Sequence, residues 1–123
     1  MKRSAKARPF LGSWRIDSME LWDPHYLDLE TAAYVRFERD RSGDFQFGAV
    51  SGTMDRRFDE LDGLPFVTFS WDGNNDNDPC SGRGWAVVDG KAMRGRFFLH
   101  FGDDSAFSAV RQVAGAGSKR RRA

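Results

Sequence analysis

Residues 66–75 read Phe66-Val67-Thr68-Phe69-Ser70-Trp71-Asp72-Gly73-Asn74-Asn75, and their order decides the fold. Val67, Phe69 and Trp71 alternate with Thr68 and Ser70. Successive side chains of an extended chain point to opposite sides, so this period of two describes a strand with one buried face. The run then meets Asp72-Gly73-Asn74-Asn75, residues that accept the positive backbone torsions of tight turns.

The same pattern recurs on both sides. Ala33, Val35 and Phe37 alternate with Tyr34, Arg36 and Glu38. Phe45, Phe47 and Ala49 alternate with Asp44, Gln46 and Gly48. Phe97, Leu99 and Phe101 alternate with Arg96, Phe98 and His100. Further turn signals stand at Arg41-Ser42-Gly43, Ser51-Gly52, Asp62-Gly63, Asp89-Gly90 and Gly102-Asp103-Asp104. Most lie about 8–12 residues apart, the rhythm of an all-β sandwich or barrel. Strands are expected near 11–20, 33–40, 44–50, 53–59, 65–72, 83–89, 92–101 and 105–113. Asp23-Pro24 followed by His25 to Glu30 offers an N-cap residue and a proline at the first helical position, so one or two helical turns are expected there. Eight short antiparallel strands avoid open edges by closing into an up-and-down barrel, with a two-sheet sandwich as the alternative.

The chain of 123 residues has room for one domain with a real core. Its net charge of +1 conceals a segregation. Lys2, Arg3, Lys6 and Arg8 crowd one end, and Lys119, Arg120, Arg121 and Arg122 the other. Between them stand eleven basic and all eighteen acidic residues, a body of −7. The expected divisions are a basic tail over 1–8, a β-barrel over 9–114 and a basic tail over 115–123. An acidic body argues against a nucleic-acid partner, whose recognition calls for a basic folded face. No apolar run approaches the roughly 20 residues of a membrane span, so no membrane partner is expected. The first residues lack the apolar core of a secretory signal, and the single cysteine, Cys80, excludes an intrachain disulfide. Both features point to the cytoplasm. The oligomeric state is not legible, and a dimer stays open.

Phe10-Leu11-Gly12-Ser13-Trp14-Arg15-Ile16 resembles the Gly-x-Trp opening of the lipocalin and fatty-acid-binding (calycin) barrels. The resemblance implies that Trp14 closes one end of the barrel and that an arginine of the last strand packs across it. Arg111, in Phe107-Ser108-Ala109-Val110-Arg111, stands where that arginine belongs. The segment after the first strand resembles the lid of the fatty-acid-binding branch. Phe45-Gln46-Phe47-Gly48-Ala49-Val50 and Gly102-Asp103-Asp104-Ser105 also resemble stretches of small bacterial proteins, a likeness that implies no activity.

Chemical motifs are sparse. Asp72, Asn74, Asp76 and Asp78 place an oxygen at every second position, as calcium loops do. The positions that need glycine and glutamate hold Asn77 and Arg83, so the segment reads as a solvated turn and no metal is expected. His25 and His100 lack a second histidine at ligand spacing. Cys80 follows Pro79 in a polar stretch with no base beside it. Trp14, Ile16, Ser18 and Glu20 share strand parity, so Glu20 is expected to face the interior, with Arg36, Arg94 or Arg96 as partner. The expected function is non-catalytic binding of a small ligand in the barrel mouth, lined by Trp14, Glu20, Trp22, Phe47, Trp71, Trp85 and His100, without a cofactor. Two alternatives stand beside it. One is an acid–base enzyme using Glu20 or His100 with Asp104. The other is a packed barrel that works through its outer face, marked by exposed Phe or Trp on one side of a sheet.

Overall fold

Trp14 and Arg111 are backbone partners across a seam that turns a sheet into a closed barrel. The computed structural model describes residues 7–40 and 42–112. It contains β1 (Gly12–Met19), a short helix α1 (Pro24–Leu27), β2 (Tyr34–Phe37), β3 (Ser42–Phe47), β4 (Val50–Leu61), β5 (Leu64–Asn75), β6 (Asp78–Asp89), β7 (Ala92–Leu99) and β8 (Asp104–Arg111). Each strand pairs antiparallel with the next, and β8 pairs with β1. The molecule is thus an all-β, eight-stranded up-and-down barrel with one short helix after the first strand. Most of the two basic tails lies outside the described residues. No described helix is long and apolar enough to cross a membrane.

The alternating residues fill the barrel. Val35, Phe37, Phe45, Phe47, Val67, Phe69, Trp71 and Phe97 are all buried. Phe45 and Phe97 lie with ring centroids 4.8 Å apart, Phe47 and Phe97 5.1 Å, and Phe97 and Phe107 4.9 Å. Burying a ring of this size stabilises the fold by about 1.5–3 kcal/mol relative to exposing it. The central layer is therefore occupied by side chains in mutual contact.

One pole is closed at the seam. Trp14 donates its indole N–H to the carbonyl of Phe10 at 2.9 Å. Arg111 lies over the Trp14 ring, 4.3 Å from its centroid, and donates to the carbonyls of Leu11 (2.8 Å) and Pro9. Gly12 makes this possible, because its φ of +104° is a conformation that side chains rarely tolerate. Phe10, Phe37 and Phe58 complete the plug, and the buried Arg56 guanidinium sits 4.2 Å from the Phe58 ring while donating to the carbonyl of Glu38.

The opposite pole is closed by α1. Asp23 caps it by accepting from the Tyr26 N–H at 2.9 Å, and Pro24 follows, as the sequence predicts. Leu27 is buried beneath, and Tyr26 lies against Gly48 in the β3–β4 turn. Arg15 ties the helix to β1 through two bonds to Asp28, at 2.8 and 2.7 Å.

Three local expectations need correction. The polar stretch 72–80 is mostly strand: β5 and β6 pair out to Asn75 and Asp78, leaving Asp76 and Asn77 as a two-residue tip with φ of 51° and 79°. The turn expected at Ser51-Gly52 falls at Gly48-Ala49 instead, because Phe47 pairs with Val50 and Gly52 lies inside β4. Phe101 does not continue the inward row of Phe97. The chain turns at His100, where Leu99 accepts from Gly102 and donates to Asp103 at 2.9 Å each, leaving Phe101 99 % exposed at φ 62°.

Candidate functional site

The structure separates the residues expected to line one mouth. Trp14 is fully buried at the seam pole. Trp22, Phe47 and Trp71 belong to the helical half: Trp22 lies 5.4 Å from Phe47, and Phe45 bridges Phe47 (5.7 Å) to Trp71 (5.1 Å). Only these three of the expected set come together. Glu20, Trp85 and His100 lie elsewhere.

Glu20 points outward, against the parity expectation. The pairing of β1 with β8 shifts between Ile16 and Ser18, so Asp17 and Ser18 are both exposed and Met19 takes the next inward position. A bulge inserts one residue and reverses every later side chain. Polar groups hold it: Ser108 Oγ donates to Asp17 at 2.6 Å and lies 2.7 Å from Ser18 Oγ. The Glu20 carboxylate accepts from the Ala106 N–H at 3.2 Å and stands 3.4 Å from Arg96. The expected partner Arg96 is thus found, but on the outer surface.

His100 is exposed and lies against Phe101, with ring centroids 4.2 Å apart. Asp104 is bonded to Arg96 rather than to His100. The acid–base pair of the enzyme alternative is not assembled there. Burial pushes the Cys80 thiol up, and Asp72 and Asp78 add to the effect, which disfavours a thiolate nucleophile. Among the described residues, no group of three or more His, Cys, Asp or Glu is placed to hold a metal ion.

The outer face of β4–β7 carries a different arrangement. Thr68 pairs with Trp85, and Trp85 with Arg96. Phe66 pairs with Val87, and Arg83 with Phe98. Phe66 and Phe98 are therefore the diagonal neighbours of Trp85 on its two sides. The three half-buried rings form an oblique row across three strands, with Phe66 6.3 Å from Trp85. Diagonal neighbours stand about 7–8 Å apart, so the row spans about 15 Å. Arg57 and Arg83 flank it on one side, Arg94 and Arg96 on the other. A groove of about 570 Å³, open to solvent, runs along it and is lined by Arg57, Phe66, Thr68, Ser70, Arg83, Trp85 and Phe98 together with Asp55.

Trp85 was expected in the interior and Arg94 and Arg96 as candidate partners of Glu20, whereas Phe66, Phe98, Arg57 and Arg83 were not expected in a site. Parity carried part of the signal, since Phe98 alternates with Phe97 and Leu99 and so belongs to the outside. The row itself depends on register, which joins residues from three strands. Comparisons with protein-family models, curated proteins and solved structures found no significant match to this chain.

Proposed function

We propose that this protein is a non-catalytic binding module whose recognition surface is the outer face of β4–β7, and whose ligand carries a planar ring and an anionic group. The oblique row of Phe66, Trp85 and Phe98 between arginines carries this reading. Antiparallel sheets solvate one face with polar side chains, so three large rings there are a departure from pattern. Rings offer stacking area at small entropic cost, and guanidinium groups match planar anions. The ring-filled interior supports a structural role for the core. The arginine over Trp14 supports reading the barrel as calycin-like in architecture.

A second reading, a small ligand in the helical mouth, rests on Trp71. Its buried indole N–H has no acceptor among the described groups and sits where a Cβ on Gly82 would come within 2.9 Å. An unsatisfied buried donor favours a carbonyl or similar acceptor entering from that pole.

Indole N–H resonances separate the two. Titration with uridine monophosphate and with naphthalene-1-sulfonate is expected to move the Trp85 signal and leave Trp14 and Trp71 unchanged. Movement of Trp71 alone would favour the mouth.

A further inference from the structure

We infer that the ligand of this face is single-stranded nucleic acid, bound through its bases on the aromatic row and through its phosphates on Arg83 and Arg94. This deepens the outer-face reading and rests on it. Three observations carry it.

The first is geometry. A row of three rings about 15 Å long exceeds what one planar ring can cover, and suits successive unstacked bases. Every base presents a π-face, so such a row accepts any sequence.

The second is local charge. The body is acidic overall, yet residues 79–88 and 90–102 contain no Asp or Glu. This stretch forms nearly all of β6 and β7, and it holds Arg83, Lys91, Arg94 and Arg96 against Asp89. Of the carboxylates on this face, Asp55 lines the groove and pairs with Arg57, Asp59 and Asp104 stand across from the end rings Phe66 and Phe98, and Asp72 lies beyond the row on β5.

The third is availability. Arg96 is engaged by Asp104 and Glu20, and Arg57 by Asp55. Among the described residues Arg83 and Arg94 form no ion pair, and both are exposed. They stand on opposite sides of the aromatic row, where a strand lying along it would present phosphates.

The test uses the full chain and a fluorescein-labelled ten-nucleotide oligouridylate, read by anisotropy and by quenching of tryptophan fluorescence. Binding is expected, with Trp85→Ala weakening it about tenfold or more, the size of one lost stacking contact. Trp85→Phe keeps a ring and is expected to hold affinity within about threefold. Arg83→Glu and Arg94→Glu are expected to weaken it comparably to Trp85→Ala. Two phosphate contacts on a single strand predict a log–log salt slope of about −1.4. Neutralising the tail in one variant (Lys119, Arg120, Arg121 and Arg122 each to Gln) is expected to leave the quenching intact. Loss of binding in that variant with none in Trp85→Ala overturns the inference, as does equal competition by a polyglutamate peptide. If the oligomer binds no tighter than uridine monophosphate while the Trp85 indole still moves, the nucleic-acid inference fails and the outer-face reading stands. If neither ligand moves Trp85, both fail.

Discussion

The guanidinium of Arg111 stacks 4.3 Å above the indole of Trp14, across the seam where the last strand meets the first. Its two donated bonds reach the carbonyls of Pro9 and Leu11, so one side chain fastens the entering chain to β8. Lysine has neither the plane nor the fork to do both. Arg111→Lys is expected to cost about 1–3 kcal/mol in urea unfolding, from lost stacking and lost carbonyl bonds. Wild-type stability in that variant would show that the guanidinium contributes nothing at the seam.

Gly48 sets the docking of α1. Its φ is +58°, and a Cβ there would lie 2.1 Å from the Tyr26 ring. Gly48→Ala is expected to destabilise by about 2 kcal/mol or more through overpacking and an unfavourable torsion. Tyr26→Ala in the same chain removes the clash and should return part of the loss. Thermal melting of both variants checks this.

Acid stability contains a contribution from Asp28. The bonds from Arg15, then the Ala33 N–H, lower its carboxyl from 3.8 to about 2. A folded-state value below the unfolded one adds stability above the unfolded value and loses it as pH falls between about 4 and 2. The pair is over one-third exposed on the Asp28 side, so solvent screening holds the effect to about 1 kcal/mol or less. Asp28→Asn is expected to flatten the stability profile in that window. An unchanged slope would remove Asp28 from the acid transition.

Glu20 tests the bulge. As an outward carboxylate, its replacement in Glu20→Gln is expected to change stability by no more than about 0.5 kcal/mol. A buried, paired carboxylate would cost about 3–5 kcal/mol when its partnership is broken. Equilibrium unfolding distinguishes the two.

Much of the architecture is legible in the residues. Period-two alternation places Val35, Phe37, Phe45, Phe47, Val67, Phe69, Trp71 and Phe97 in the core, and all are there. The helix start at Asp23-Pro24 is equally plain, since cap chemistry is local. What escaped depends on register. One extra residue at Asp17-Ser18 sends Glu20 outward, and nothing in Ile16-Asp17-Ser18-Met19 announces it. The hairpin tip at Asp76-Asn77 was hidden because every neighbour from Asp72 to Asp78 suits a turn. The aromatic row is the deepest case. Phe66, Trp85 and Phe98 lie far apart in sequence and become neighbours only when three strands are aligned.

The seam also orders events in time. Trp14 and Arg111 stand near opposite ends of the described chain, so their pairing waits until β8 has been synthesised. Until then β1 presents an unpaired edge, and the sheet stays open along that side. Closing a contact of such length is slow beside the hairpins, which form locally. Shielding of the Trp14 indole is therefore the late step in refolding, and its fluorescence reports when the barrel shuts.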